Sequence, residues 1–309
     1  MTRDLPLTPT VCAICGAGAP SAEVYPAALD RATFDPAVFS ARRAPDRRHY
    51  RIVRCRVCGL VRSDPIAPAA TLDRLYRDSH FSYERETEWL RRTYRRALDR
   101  TLRAGARAGR LLEIGAGNGF FLHEALAAGF TTVRGVEPSH EAVEQATPNI
   151  RSQLVCGTFG PGLFRSSTFD VVCAFQVFDH LPDPRACLAA CADVLTPGGY
   201  VLMIAHDVRA WSARVMGQRS PIFDVEHTFL YNPDTMARLF ALNGFEVVRA
   251  GRVLNTCSIA HLAWLAPLPP AAKRAVSRVL TWTGIGSRGL SLPLGNLEII
   301  ARTPAASSS

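Results

Sequence analysis

The chain has 309 residues, of which 48% are hydrophobic, and its mean hydropathy of +0.04 is close to zero. This length accommodates one large domain and a small one, and the composition excludes a disordered chain that lacks a core. No apolar run approaches a membrane span, and residues 1–10 lack the apolar core of a signal peptide. We therefore expect a cytoplasmic protein.

The formal net charge of +9 is compatible with nucleic-acid binding. However, Lys273 is the only lysine, so arginine supplies nearly all of the positive charge. Together with the many alanines, this pattern is also typical of compositional bias in a genome. Both explanations remain open, and bias is the favoured one.

Two matched cysteine pairs lie near the start of the chain. Cys12 and Cys15 form one C-x-x-C pair, Cys55 and Cys58 form the other, and a glycine follows each pair. The nine cysteines are an odd number without a secretion signal, which argues against a disulfide framework. Two such pairs supply the four tetrahedral ligands of a structural zinc ion, although redox-active cysteines are the alternative. We expect a zinc-binding module over residues 1–66.

Residues 67–105 have a helical pattern that is rich in arginine. Apolar residues such as Leu72, Leu75, Tyr76 and Leu98 recur at helical spacing, and most arginines fall on the other faces. We expect a helical connector that covers the ligand cleft. A solvated arginine face is the simpler interpretation, and a phosphate-binding face is the alternative.

A glycine-rich turn follows the apolar run Leu111–Ile114. Gly115, Gly117 and Gly119 alternate with other residues, and an amphipathic segment follows them. This order predicts a buried strand, a tight turn and the start of a helix. A dinucleotide-binding turn would have its third glycine where Phe120 stands, so that interpretation fails.

The stretch from Glu113 to Gly119 resembles the first motif of class I S-adenosylmethionine-dependent methyltransferases. The resemblance implies an α/β, Rossmann-like fold with a seven-stranded, mostly parallel sheet, here with a core over residues 106–251. It also implies that the loop passes under the methionine part of the cofactor. The cofactor-binding residues implied in this motif are Glu113, Gly115, Ala116, Gly117, Asn118 and Gly119.

Three further segments extend the cofactor prediction. Glu137 ends the second predicted strand, where a carboxylate can accept hydrogen bonds from both ribose hydroxyls, and Pro138 follows it. After the third strand, many relatives place an aspartate that binds the adenine amino group, whereas this chain has Thr158; Phe159 could pack on the adenine. Gln176 opens the segment after the fourth strand, which faces the methyl-transfer site in relatives.

Three histidines are the candidate catalytic bases, since imidazole titrates near neutrality. His180 follows the fourth strand in a His-Leu-x-x-Pro-like segment, and His206 follows the fifth. His227 lies among acids in an irregular segment that would overlie the acceptor, so it is favoured. A purely structural role is the alternative for each.

Residues 252–309 are predicted to hold an insertion, the last antiparallel strand and a disordered tail. The insertion at 252–294 could cap the substrate, bind a partner or extend the core, and a mobile lid is slightly favoured.

The N-terminal cysteine module is similar to one that precedes the methyltransferase domain in nucleotide-sugar C-methyltransferases and some of their relatives.

Three functions compete. The leading one is methylation of a small molecule, namely a sugar nucleotide or secondary metabolite, on carbon or oxygen. The second is RNA methylation, in which the zinc module and the arginine-rich helices would bind phosphates. The third is a non-catalytic cofactor-binding or scaffold protein, against which the intact loop and Glu137 argue. The sequence leaves the acceptor and the oligomeric state open.

Overall fold

The computed structural model describes residues 6–29, 47–79, 87–265 and 269–305. The strands in these ranges are β1 (Ser21–Tyr25), β2 (Ile52–Cys55), β3 (Val61–Ser63), β4 (Arg110–Ile114), β5 (Thr132–Glu137), β6 (Leu154–Cys156), β7 (Phe169–Phe175), β8 (Leu195–His206), β9 (Phe229–Leu230), β10 (Glu246–Arg252), β11 (Asn255–Ser258), β12 (Gly289–Leu292) and β13 (Asn296–Arg302). The α-helices are α1 (Ala69–Arg77), α2 (Thr87–Arg103), α3 (Phe120–Ala127), α4 (His140–Glu144), α5 (Pro148–Arg151), α6 (Pro184–Val194), α7 (Trp211–Met216), α8 (Pro233–Leu242), α9 (Ile259–Leu265) and α10 (Pro270–Trp282).

Seven strands form the central sheet, in the order β10-β13-β8-β7-β4-β5-β6. The strands from β8 to β6 run parallel, and β13 and β10 are antiparallel to their neighbours. All seven residues of β7 are buried, which is why the central strands are continuous apolar runs in the sequence. The predicted α/β, Rossmann-like fold with an antiparallel last strand is confirmed.

The connector helix α2 packs against the sheet through its apolar face. Tyr94 stacks on Phe175 with ring centroids 4.1 Å apart and meets Phe121 edge-on. Arg100 of the same helix donates to the fully buried carboxylate of Glu298 on β13. This carboxylate also pairs with Arg249 on β10. At least one arginine of this helix is therefore engaged inside the protein rather than available for phosphate.

The predicted N-terminal module shares its sheet with a later segment. Its four strands lie in the order β1-β2-β3-β9, and β9 comes from the segment just after His227. Val61 pairs with Leu230 across this junction. Leu60 belongs to the same apolar cluster as Phe178 and Leu188, which flank the seven-stranded sheet. The N-terminal strands and the seven-stranded sheet therefore share one hydrophobic core.

The predicted insertion contains the β11–β12 hairpin and helices α9 and α10. Strand β11 lies against α2, and the Thr256 backbone N–H donates to Thr93 Oγ1 at 2.9 Å. Within the ranges the structure describes, no helix is both long and apolar enough to cross a membrane. Of the predicted disordered tail, residues 306–309 lie outside the described residues.

Candidate functional site

A large cavity of about 970 Å³ opens at the carboxyl ends of the parallel strands. Its walls come from the glycine loop after β4, the ends of β5, β7 and β8, the segment before β9, helix α1 and strand β11. Open α/β sheets bind their ligands at this edge because the strand ends and helix starts converge there. The cavity is therefore the candidate active site.

The glycine loop adopts a conformation that side chains disfavour. Gly115 has φ +70° and Gly119 has φ +73°, both in the left-handed region. A Cβ at Gly115 would lie 2.3 Å from Cγ2 of Val177, so the loop leaves no room for a side chain at that point. The backbone itself therefore forms the cavity wall there.

Glu137 is fixed by two backbone donors. The N–H of Gly117 donates to Oε2 at 2.8 Å, and the N–H of Ser139 donates to Oε1 at 2.9 Å. Burial raises the pKa of the Glu137 carboxyl, and these two hydrogen bonds partly oppose that rise. Each oxygen retains a second lone pair, so the carboxylate can still accept from a ligand's hydroxyls.

Two other polar groups lack a protein partner, one in the cavity wall and one in the adjoining glycine loop. Oε1 of Gln176 and Oδ1 of Asn118 are buried without a hydrogen bond, and Gln176 has a positive φ of 58°. Unsatisfied polar atoms and backbone strain cluster at ligand sites, where the ligand completes the contacts. These observations fit the donor and acceptor groups of S-adenosylmethionine.

Most predicted cofactor residues line the cavity, and the rest belong to the glycine loop or to the end of the strand before it. Those in the lining are Gly115, Gly117, Glu137, Pro138, Thr158, Phe159 and Gln176. The residues outside the lining are Glu113, Ala116, Asn118 and Gly119. Ala116 is buried against Gly135 of β5, and Gly119 is the N-cap of α3.

Glu113 lies beneath the loop and is only 2% exposed. Its Oε2 has no hydrogen-bond partner. Burial, and then the nearby charge of Glu137, raise the pKa of this carboxyl well above its ordinary value. The structure therefore favours a protonated Glu113 that supports the loop from behind.

The three predicted catalytic histidines meet at the opposite wall of the cavity. The ring centroids of His206 and His227 are 4.4 Å apart, and those of His180 and His227 are 5.0 Å apart. The fully buried Asp179 lies among them, and its Oδ2 accepts from His206 Nδ1 at 2.6 Å. Sequence positions 180, 206 and 227 are thus joined around one carboxylate.

Their environment keeps two of the imidazoles neutral. Burial lowers the pKa of His180 to about 3 and also lowers the pKa of His227. Burial opposes ionisation of Asp179, but the histidines, His206 foremost, hold the pKa of its carboxyl well below the usual range. The site therefore combines a buried carboxylate with neutral imidazoles.

Sequence reasoning missed Asp179 and Tyr76. Asp179 precedes His180 at the carboxyl end of a parallel strand, a position where an acid signals a site. The Tyr76 hydroxyl lies 3.2 Å from Nδ1 of His180, although helical spacing had marked this residue only as apolar. Asp224 and Glu226 also line the cavity.

The N-terminal strands hold the His227 segment in place. The Ser63 hydroxyl donates to the His227 carbonyl at 2.7 Å, and the Ser63 N–H donates to the Thr228 carbonyl at 2.9 Å. The N–H of Thr228 in turn donates to the Asp179 carbonyl at 2.8 Å. Strand β3 is thereby connected to the histidine wall by direct hydrogen bonds.

The four predicted zinc ligands also come together. One sulfur from each of Cys12, Cys15, Cys55 and Cys58 lies within 4.8 Å of the others, and Cys12 and Cys58 are 3.5 Å apart. Tetrahedral Zn–S bonds of about 2.3 Å would separate the sulfurs by about 3.8 Å. The cluster therefore fits a four-coordinate zinc ion.

The sheet order, the left-handed glycine loop and the acid at the end of β5 match the class I methyltransferase fold that the sequence predicts. A family model described as a methyltransferase domain matches residues 87–250, which is more than half of the chain. The chain therefore belongs to this methyltransferase-domain family.

Two curated relatives carry the name ubiquinone biosynthesis O-methyltransferase. The protein of Cupriavidus pinatubonensis is 27% identical over 158 residues, which covers 47% of this chain and 63% of the relative. That of Thiobacillus denitrificans is 32% identical over 117 residues, which covers 35% and 50%. The chain thus spans less than two thirds of the length of these relatives.

A solved S-adenosylmethionine-dependent methyltransferase from Archaeoglobus fulgidus is 20% identical to this chain, with a TM-score of 0.48. The match covers 69% of this chain and 94% of the solved chain.

The buried carboxyl of Glu113 predicts a specific pH dependence of stability. Its pKa is raised above 4.5 in the folded chain, so above that pH the unfolded chain releases a proton that the folded chain keeps. Stability from this group is therefore lost as the pH rises through the folded pKa. Glu113→Gln, measured without cofactor, should become progressively more stable than the parent as the pH rises from about 5 to 8.

Thermal unfolding of both proteins across this range checks the expectation. Glu144→Gln, at an exposed position on α4, is the matched control and should follow the parent. Parallel melting curves for Glu113→Gln and the parent at every pH would contradict a protonated, buried Glu113.

Proposed function

We propose that the chain transfers a methyl group from S-adenosylmethionine to a hydroxyl oxygen of a small, largely apolar molecule. The observation that carries this proposal is the single cavity, which joins the glycine loop and Glu137 on one wall to the histidine cluster on the other. An oxygen acceptor is supported by the names of the relatives, which are O-methyltransferases. Apolar side chains such as Leu72, Leu90 and Leu262 line the space between.

On the cofactor side, each predicted residue has a distinct task. The carboxylate of Glu137 would accept from the ribose hydroxyls, and Phe159 would pack on the adenine. The backbone at Gly115 and Gly117 would lie against the methionine part, and Gln176 would supply its unpartnered amide oxygen. The cofactor would supply an activated methyl group on sulfur: transfer would break the carbon–sulfur bond, whose electron pair stays on sulfur, and a lone pair of the acceptor oxygen would form the new carbon–oxygen bond.

On the acceptor side, the histidines form the wall against which the hydroxyl would lie. A hydroxyl oxygen must lose its proton on methylation, and the cluster is the group of side chains through which that proton would leave. His227 donates through Nδ1 to the Ile222 carbonyl at 2.7 Å, so its neutral ring carries the lone pair on Nε2. Alignment of the oxygen with the methyl–sulfur bond is the remaining contribution of this wall.

The charge of the cavity argues against an acceptor that carries phosphates. Its lining within the described residues contains no arginine or lysine, although the chain as a whole has a net charge of +9. The acids in the lining are Asp73, Glu137, Asp183, Asp224 and Glu226. Nucleotide sugars and RNA need cationic partners for their phosphates. The lining therefore supports a metabolite without phosphate over either of them.

Transfer of a labelled methyl group tests this acceptor class. The acceptors compared are a catechol, a nucleoside-diphosphate sugar and total RNA, each incubated with labelled S-adenosylmethionine. We expect label in the catechol only, and His206→Gln should reduce its rate about a hundredfold. The same variant should keep its affinity for S-adenosylhomocysteine, because His206 lies on the acceptor wall.

His123→Gln is the matched control, since His123 lies outside the cavity on α3 and its ring bonds to Thr147. It should transfer methyl groups at the parent rate. Label in RNA or in the nucleotide sugar, with none in the catechol, would overturn the proposed acceptor class.

We further propose that the cysteine cluster binds one structural zinc ion. Four thiolates fill a tetrahedral site, so the ion would not have an open position for chemistry. Burial raises the pKa of Cys15 and Cys58, whereas backbone N–H donors of Cys58 and Val57, with the neighbouring thiols, outweigh burial at Cys55 and lower its pKa to about 7. A thiolate at this position is what a zinc ligand requires. Through β3, the ion would also support the segment that carries His227.

Loss of this zinc should damage the acceptor wall more than the cofactor site. Cys55→Ser should hold about one equivalent of zinc less than the parent and melt at a lower temperature, since metal binding contributes folding free energy. Methyl transfer should fall more than affinity for S-adenosylhomocysteine. Cys156→Ser, at an exposed position, should keep the parent's zinc.

Metal analysis of protein purified without added zinc decides the matter. A parent that contains less than about a tenth of an equivalent, or a Cys55→Ser variant with the parent's zinc content, would contradict the zinc proposal.

A further inference from the structure

A second cluster of potential metal ligands lies in the histidine wall. One donor atom from each of Asp179, His206 and His227 lies within 4.8 Å of the other two. Two ligand atoms bound to one ion at about 2.1 Å each can be at most about 4.2 Å apart. Small side-chain rotations would therefore bring these three donor atoms to within bonding distance of a single ion. The cluster is separate from the four cysteines.

The carboxylate of Asp179 is incompletely paired. Its side chain is fully buried, and Oδ1 has no hydrogen-bond partner. Nε2 of His180 lies 3.8 Å from Oδ1, which is too far for a hydrogen bond. Within the described residues, Asp179 forms ion pairs only with His180 and His206. An anionic group buried in this way is costly unless a cation neutralises it.

The ligand side chains are oriented by groups outside the cluster. The Ile222 carbonyl accepts from His227 Nδ1, which directs Nε2 away from that carbonyl. Metal-binding histidines are commonly oriented by such a carbonyl. The Asp179 backbone accepts from the N–H groups of Thr228 and Phe229. Two of the three ligand positions are therefore joined through the main chain before any ion binds.

We propose that Asp179, His206 and His227 bind one divalent transition-metal ion. Two imidazoles and one carboxylate suit Mn²⁺, Fe²⁺, Co²⁺ or Zn²⁺, and they are poor ligands for Ca²⁺. Three protein ligands leave coordination positions open, and these face the cavity because His206 and His227 line it. An oxygen of the acceptor would fill one open position. Ion binding does not depend on the proposed function, whereas this role in acceptor binding rests on it.

A metal-free pair of Asp179 and His206 is the competing explanation. The 2.6 Å contact between His206 Nδ1 and Asp179 Oδ2 satisfies one carboxylate oxygen. It does not account for the unpartnered Oδ1 or for the approach of His227 to the same point. The two explanations differ in whether the folded protein takes up an ion at this wall.

Titration with Mn²⁺ of the full chain carrying one equivalent of zinc, the amount that the cysteine cluster takes, tests the site, with free Mn²⁺ followed by its electron paramagnetic resonance signal. The parent should bind one Mn²⁺ per chain in addition to its zinc. Asp179→Asn and His227→Gln should each weaken this binding about tenfold or more, because each removes one of three ligands. His123→Gln should bind Mn²⁺ as the parent does. A parallel titration with Co²⁺ is followed by visible absorption.

Affinity for S-adenosylhomocysteine is measured on every variant, which shows that each one is folded. Failure of the parent to bind either ion, or binding by both variants that equals the parent's, would overturn the metal site. In that case, a loss of methyl transfer in His206→Gln would still support the proposed function through the metal-free pair. Conversely, ion binding with the expected mutant pattern, but no methyl transfer to the catechol, would support the site and contradict the proposed acceptor.

Discussion

The rest of the site depends on the contacts between the Glu137 carboxylate and two backbone N–H groups, those of Gly117 and Ser139. These bonds hold the loop after β4 against the end of β5, so two parallel strands present one continuous surface to a ligand. Glycine is required in the loop because its backbone is left-handed and because Val177 fills the space beside Gly115. The same carboxylate keeps lone pairs for ribose hydroxyls. Folding and the proposed cofactor recognition would thus use one set of atoms.

The opposite wall is built by pairing between distant parts of the chain. Strand β9 joins the sheet of the cysteine-bearing strands, and Ser63 bonds to the main chain at His227 and Thr228. The hydrogen bond from Thr228 to Asp179 then extends this connection to the loop after β7. A zinc ion would therefore influence the acceptor side without contacting it. The two walls differ in this respect, since the cofactor wall is assembled from consecutive βα units.

The sequence predicted what depends on local pattern. The strand, glycine turn and helix around Gly115 are consecutive in the sequence, so their pattern is local. The spacing of the two cysteine pairs is sufficient to predict their cluster. The methyltransferase-domain family and the seven-stranded fold are confirmed, whereas the roles of individual site residues stay predictions. The ion-paired Asp179 and the pairing of β9 with β3 could not be predicted, because they are tertiary contacts between residues more than twenty positions apart. Tyr76 was likewise assigned to a helix face, while its hydroxyl reaches His180.

The central claim is that Glu137 holds the cofactor at the carboxyl edge of the sheet. Calorimetric titration with S-adenosylhomocysteine, comparing the parent with Glu137→Gln, tests it most directly. Replacement of the carboxylate removes charged hydrogen bonds, each worth about 1.5–3 kcal/mol, so affinity should fall about tenfold or more. Glu144→Gln, the exposed control on α4, should bind as the parent does. Equal affinity of a folded Glu137→Gln variant and the parent would contradict the account.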